Sequence, residues 1–238
     1  TAVSVNIKER RDFSCALFNQ SGDLVANAPH MPVHLGSMAE SIKAVIQKHT
    51  GIMRRGDAFI LNNPYDGGTH LPDITVVKPV FHGAGSTPIF YVASRGHHAD
   101  IGGITPGSMP SGSTHIGQEG VLIDNIKLVD AGSMLEVEMR QLLGSGPYPA
   151  RNIDYNIADL KAQLAACEKG MQELLRSVDH FGLEVVNAYM GHVQANAEES
   201  VRWVLDKALR HLLEKDQLNI CLCLLPGQHT LEDDLSVT

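Results

Sequence analysis

The chain has 238 residues, 43% of them hydrophobic and 19% charged, with a formal net charge of −8. That length buries a sizeable core, and the composition is that of an ordinary globular protein. The acidic balance argues against a nucleic-acid binder, which shows a basic patch or stripe, and no apolar run is long enough to cross a membrane as a helix. Cys15, Cys167, Cys221 and Cys223 form no C-x-x-C pair and no disulfide framework, so a reducing, cytosolic setting is expected.

Strand formers from Phe13 to Phe18 and from Leu24 to Ala26 flank a turn containing Gly22, which predicts a β-hairpin. Leu35, Met38, Ile42, Val45 and Ile46 recur at helical spacing over residues 35–49, ahead of the stop signal Gly51. Short strands are predicted at 58–61, 74–81, 89–94, 121–123 and 126–129. Residues 102–120 are rich in Gly, Ser, Thr and Pro, and a loop of that length in a compact domain is usually functional or disordered. After Pro149 apolar residues recur every three or four positions from Ile157 to Leu175 and from Val185 to Leu209, with a break at residues 179–182. This pattern predicts a hairpin of two long helices. The fold expected is α+β: a mixed β-sheet domain over residues 1–150 with one flanking helix, a helical hairpin over 151–212, and a poorly ordered tail over 213–238. The chain begins abruptly at Thr1-Ala2-Val3, and a fragment of a longer protein is expected.

Two imidazole–carboxylate pairs share one spacing, and each lies beside a Gly-Gly pair. They are His70 and Asp73 in Gly67-Gly68-Thr69-His70-Leu71-Pro72-Asp73, and His97 and Asp100 in Gly96-His97-His98-Ala99-Asp100-Ile101-Gly102-Gly103. Neutral imidazole with carboxylate is a common ligand set for a catalytic divalent metal, and a set of two histidines and one carboxylate admits Mn, Fe or Zn. The glycines let the backbone turn tightly and let a small substrate approach. His97 and His98 are expected just past a strand end. Successive strand residues face opposite sides, so one of the two is expected to reach the ion. Asp100 is a candidate to bond the second ring nitrogen of a liganding histidine. Spacing alone also allows His70 and His97 to cap strand ends and bond backbone.

Glu119, after the polar loop, is a candidate general base or amine ligand, or a solvated loop carboxylate. Arg95 is a candidate to hold a substrate carboxylate. The run Glu9-Arg10-Arg11-Asp12 reads as a solvated face, and the remaining histidines, His34 among them, as surface or satisfied core residues. No G-x-x-x-x-G-K-[ST], G-x-G-x-x-G or G-x-S-x-G motif is present.

Longer runs carry a resemblance. Asp12-Phe13-Ser14-Cys15-Ala16-Leu17-Phe18, Pro32-Val33-His34-Leu35-Gly36-Ser37-Met38, Asn63-Pro64-Tyr65-x-Gly67-Gly68-Thr69-His70-Leu71-Pro72-Asp73 and Gly96 to Gly103 resemble the hydantoinase B/oxoprolinase family over roughly residues 5–212. Within it, the run from Tyr91 to Pro110 and the run from Tyr189 to Glu198 look most like the ATP-dependent 5-oxoprolinases.

The resemblance implies a two-part machine. A hydantoinase-A-like ATPase domain or subunit binds ATP and Mg and phosphorylates a lactam or ketone oxygen. The B half receives the activated substrate beside a divalent metal (Mn, Zn or Fe), whose ligands fall on His70, Asp73 and His97. An oxoprolinase would open 5-oxo-L-proline to L-glutamate within glutathione turnover, with Glu119 or Asp100 handling protons and Arg95 holding the substrate carboxylate. A cytosolic homo-oligomer without nucleic-acid or membrane partners is expected. Alternatives are a subunit of a hydantoinase or of an ATP-dependent ketone carboxylase, or a catalytically inactive, truncated interaction module. The chain departs from the family pattern where Asn63 replaces a common Asp, where Asp124-Asn125 replaces a Pro-Pro, and beyond about residue 212, where the resemblance ends.

Overall fold

A computed structural model of the chain describes residues 2–28 and 31–214. The tail expected at 213–238, with Cys221 and Cys223, falls almost wholly outside these residues. The elements in order are α1 (Val5–Lys8), β1 (Phe13–Phe18), β2 (Leu24–Ala28), α2 (His34–His49), β3 (Ala58–Leu61), β4 (Asp73–Val80), β5 (Phe90–His97), β6 (Ile126–Asp130), β7 (Ser133–Met134), α3 (Glu136–Leu143), α4 (Ile153–Phe181) and α5 (Leu183–Glu214). The seven strands form one sheet in the order β2-β1-β5-β4-β3-β6-β7. The expected α+β architecture is present, and every strand pairing is antiparallel.

Side chains alternate across the sheet, and each face finds its own helix. Ala16, Phe18, Phe59, Leu61, Val77, Tyr91 and Ala93 pack on Met38, Ile42 and Val45 of α2. The opposite face carries Ile60, Ile74, Val76, Phe90 and Val92, which pack with Ile157, Leu160, Cys167 and Leu174 of α4. Strands β3, β4 and β5 are buried on both faces, which is why they read as nearly unbroken apolar runs.

Several boundaries differ from the sequence pattern. β5 extends through Arg95 and Gly96 to His97, because its ladder with β4 continues to the pair Asp73/His97. Residues 121–123 are not a regular strand. They are held by Val121 N–H to the Ile101 carbonyl and by Asn62, whose amide accepts from Ile123 N–H. The loop 102–120 contains a single 3-10 turn at Ile116–Gln118.

The two long helices are separated at Gly182 alone, whose φ of 86° ends α4. Helix α4 starts on Asn152, whose side chain accepts from Tyr155 N–H. The chain divides into two compact units after His192, so residues 151–192 belong with the sheet. In the second unit the described part of α5 is exposed, with Arg202 paired to Glu198 and Arg210 to Asp206 one turn away. Among the described residues no helix is long and apolar enough to cross a membrane.

Candidate metal centre

At one end of the sheet, on the α2 face, three side chains converge. His70, Asp73 and His97 each offer a ligand atom, and these atoms all lie within 4.8 Å of one another. His70 arrives on the loop before β4, Asp73 is the first residue of β4, and His97 is the last residue of β5. Asp73 and His97 are directly opposed in the antiparallel ladder. His70 Nδ1 lies 3.1 Å from Asp73 Oδ2, and His97 Nδ1 lies 3.1 Å from Asp73 Oδ1. The two imidazoles stand 5.0 Å apart at 45°. Two ligands at right angles on one ion with bonds near 2.1 Å are themselves about 3 Å apart. The donor set and its spacing therefore fit a divalent ion bound by two imidazoles and a carboxylate.

The alternation rule separates the two adjacent histidines. His97 faces Asp73, whereas His98 points to the α4 face, fully buried between Gln163 and Asn156. His97 is a strand residue and not, as its surroundings in sequence indicate, a loop residue. Burial pushes the His98 imidazole below its ordinary value.

Asp73 is the electrostatic hub. Burial alone would raise its carboxyl, but hydrogen bonds from His34, His70 and His97 together outweigh that and hold it far below the usual carboxylate range. Thr69 Oγ1 donates a further bond of 3.0 Å to Oδ2. His34, the first residue of α2, places Nε2 3.3 Å from Asp73 Oδ2, and its Nδ1 is 2.9 Å from Ser14 Oγ. The hydrogen bond to Asp73 raises the His70 pKa. His70 is the accessible edge of the centre, with 38% of its side chain exposed against 15% for His97 and 4% for Asp73.

Beneath this cluster lies Arg95, one pleat along β5 on the same face and fully buried. Its Nε donates to Thr75 Oγ1 at 2.8 Å, Nη1 to Ser37 Oγ at 2.6 Å and Nη2 to Ser41 Oγ at 2.7 Å. Ser41 in turn donates to the Gly67 carbonyl. The guanidinium therefore joins β4, β5 and α2 below the centre. That differs from the substrate-carboxylate role expected of it. Burial lowers the Arg95 pKa and the Asp73 charge opposes the effect. The neighbouring glycines also have a packing reason. Gly67 has φ +84°, and a Cβ there would come within 2.8 Å of Ala44 Cβ on α2.

The other expected residues lie apart from these contacts. Among the described residues, no hydrogen bond or ion pair joins Asp100 or Glu119 to the three converging side chains. Asp100 accepts from the N–H groups of Gly102, Gly107 and Arg151 and from Arg151 Nη1 at 2.7 Å. It organises the glycine-rich loop, while the ring nitrogen of His97 turns to Asp73. Glu119 accepts from Ser113 Oγ at 2.6 Å. Sequence reasoning missed His34, Thr69, Ser14 and Asp12, whose carbonyl accepts from His97 N–H and whose carboxylate stands 3.9 Å from His97 Nδ1. A usable signal was the polar set His34, Ser37 and Ser41 at helical spacing on the face of α2 that also buries Met38, Ile42 and Val45.

Comparison with known proteins identifies the family of the chain. The family model described as hydantoinase B/oxoprolinase matches residues 1–222, past the point near residue 212 where the sequence resemblance ends. The chain is 49% identical over 205 residues to a 5-oxoprolinase of Dictyostelium discoideum, covering 86% of this chain and 16% of that protein. It is 48% identical over 217 residues to a 5-oxoprolinase of Saccharomyces cerevisiae, covering 89% of this chain and 17% of that protein. The chain thus spans about a sixth of the length of these relatives. The crystal structure of the ATP-dependent caprolactamase of Pseudomonas jessenii superposes with a TM-score of 0.74 at 29% identity, over 82% of this chain and 32% of that one. The chain belongs to the hydantoinase B/oxoprolinase family.

Proposed function

We propose that this chain is part of an ATP-dependent 5-oxoprolinase that opens the 5-oxo-L-proline lactam to L-glutamate in glutathione turnover, and that its share of the work is a divalent metal centre on His70, Asp73 and His97. The observation that carries the reading is the convergence of two imidazoles and a carboxylate on the α2 face of the sheet. Two of the relatives are named for lactams, 5-oxoproline and caprolactam, which favours cyclic-amide hydrolysis over ketone carboxylation.

A bound divalent ion (Mn, Zn or Fe) supplies Lewis-acid polarisation and activation of water at neutral pH. This chain's residues prepare the place for it. Hydrogen bonds from its neighbours hold the Asp73 carboxyl far below the usual range, and those from His34 and Thr69 remain compatible with His70 and His97 turning lone pairs to an ion. His34 and Thr69 hold its carboxylate in one orientation. Arg95 fixes the floor from which Asp73 and His97 project. Glu119 is the candidate proton carrier, and Asp100 acts by holding the loop that leads to it. ATP and Mg bind a hydantoinase-A-like domain or subunit, which phosphorylates the lactam oxygen before the B portion acts. The assembly is a cytosolic homo-oligomer.

The test is turnover of the complete enzyme carrying His97→Ala. Glutamate formation from 5-oxo-L-proline is expected to fall by more than about 100-fold, beyond the loss typical of an outer-shell change. Unchanged turnover overturns the assignment.

A further inference from the structure

The buried face of α4 mixes apolar and polar side chains. Its stripe of Ile157, Leu160, Cys167, Leu174 and Val178 already covers the sheet. Yet Asn156 and Gln163, two turns apart on the same face, are 2% and 4% exposed. Both reach the strand ends directly behind the metal centre.

Gln163 Nε2 donates to the carbonyls of Ile74 at 2.9 Å and Ser94 at 3.0 Å. Ile74 follows the ligand Asp73 on β4, and Ser94 lies on β5 three residues before His97. With its nitrogen committed to two carbonyls, the Gln163 oxygen must accept, and its partner at 3.0 Å is His98 Nε2. Asn156 Nδ2 donates to the Asp100 carbonyl at 2.9 Å and faces His98 Nδ1 at 3.1 Å. These constraints select one arrangement, a neutral His98 protonated on Nε2 and accepting on Nδ1. The backbone N–H of His98 completes the tie by donating to the carbonyl of Pro72, the residue before Asp73. Gly96, between Arg95 and His97, leaves room for Ile7 beside this network. A Cβ there would stand 2.8 Å from Ile7 Cδ1 and 3.5 Å from Gln163 Cδ.

We infer that Gln163, with Asn156 and His98, is a positioning residue of the metal centre: from the opposite face of the sheet it holds β4 and β5 in the register that brings Asp73 and His97 together. Helix α4 is then a working part of the site and not only a cover for the core. The inference rests on the metal reading above and adds to it a determinant that does not touch the ion.

The experiment uses Co(II) as the probe, titrated into the metal-free chain. Dissociation constants and visible spectra are compared for wild type, Gln163→Met, Asn156→Ala and Leu160→Ala, with thermal unfolding on the same samples. Leu160→Ala removes buried apolar volume from the same helix face and none of the network's hydrogen bonds, so it reports on packing. Gln163→Met is expected to weaken Co(II) binding about tenfold and to shift the ligand-field bands, the lower end of what supporting residues of metal sites contribute. Asn156→Ala is expected to act in the same direction by up to about tenfold, and it carries the test if Gln163→Met does not fold. Leu160→Ala is expected to lower the melting temperature with wild-type affinity and spectrum. Wild-type Co(II) affinity and spectrum in a folded Gln163→Met or Asn156→Ala overturns the inference, as does equal weakening by Leu160→Ala. Failure of folded wild type to bind Co(II) overturns the metal reading itself and the inference with it.

Discussion

Asp73 and His97 are cross-strand partners, directly opposed in the β4/β5 ladder with 3.1 Å between Oδ1 and Nδ1. The strand register alone makes them neighbours, since 24 residues separate them in sequence. A slip of one residue would send one of them to the α4 face, where Ile74 and His98 now lie. The centre is thus a consequence of sheet register, and its outer residues act on that register or on the Asp73 carboxylate.

His34→Ala removes a donor from a carboxylate that is almost wholly buried. Loss of a hydrogen bond to a charged buried group costs about 1.5–3 kcal/mol. Urea unfolding is expected to show an earlier midpoint with an unchanged m-value, and His34→Gln should recover part of the loss. A midpoint equal to wild type in His34→Ala would show that the contact to Asp73 carries no weight.

Arg95→Lys keeps the charge and loses the fork that reaches Thr75, Ser37 and Ser41 together. The expected result is a stability loss of about 3 kcal/mol or more, the range for breaking a buried charged network. In the complete enzyme the fall in activity should follow the folded fraction. A variant of wild-type stability with a raised KM for 5-oxo-L-proline would restore the substrate-binding role.

The loop after His98 is gathered on the Asp100 carboxylate. Burial would raise its carboxyl, but the N–H groups of Gly102, Arg151 and Gly107 and the Arg151 guanidinium bring it below the ordinary value of 3.8. A lowered folded value contributes stability above the unfolded value, lost as pH falls through the folded one. Asp100→Asn is therefore expected to be less stable than wild type at pH 7 by about 1–3 kcal/mol. The gap should close as pH drops below about 4. A gap independent of pH would contradict the ionised clamp.

Two departures from the family pattern touch each other. Asn63 Nδ2 donates to Asp124 Oδ1 at 3.1 Å, and Lys48 Nζ meets Asp124 Oδ2 at 3.0 Å. Asn63→Asp would set two carboxylates against each other. The pair is exposed, so the cost expected is at most about 1 kcal/mol, diminished by salt. Asp124→Asn in the same chain should restore stability, which a double-mutant cycle measures directly. Additive losses would show that the two positions are independent.

Much of the fold is legible in sequence because periodicity reports burial. The hairpin at Phe13–Ala28, helix α2 and strands β3 to β6 follow from apolar spacing, as do the two long helices. Helix α3 and strand β7 escaped because they are short and half exposed. The two motifs pointed to His70 and Asp73 with one of His97 and His98, and the family resemblance pointed to His97; the structure brings these three side chains close together. Alternation also foresaw that only one of His97 and His98 would join them. The partners of Asp73 were less legible: the polar spacing of His34, Ser37 and Ser41 marks a polar strip on α2, but only tertiary packing brings His34 to Asp73 and Ser14 to His34. Asp100 misled for a related reason. Its spacing from His97 repeats that of Asp73 from His70, but the chain turns after His98 and spends the carboxylate on its own loop.

The most direct measurement is metal content per purified chain, wild type beside His70→Ala, with circular dichroism on the same samples. About one divalent ion per wild-type chain is expected. In His70→Ala the ion should be lost while the spectrum stays folded. A folded wild-type chain without metal, or a His70→Ala chain that keeps it, would contradict the centre on His70, Asp73 and His97.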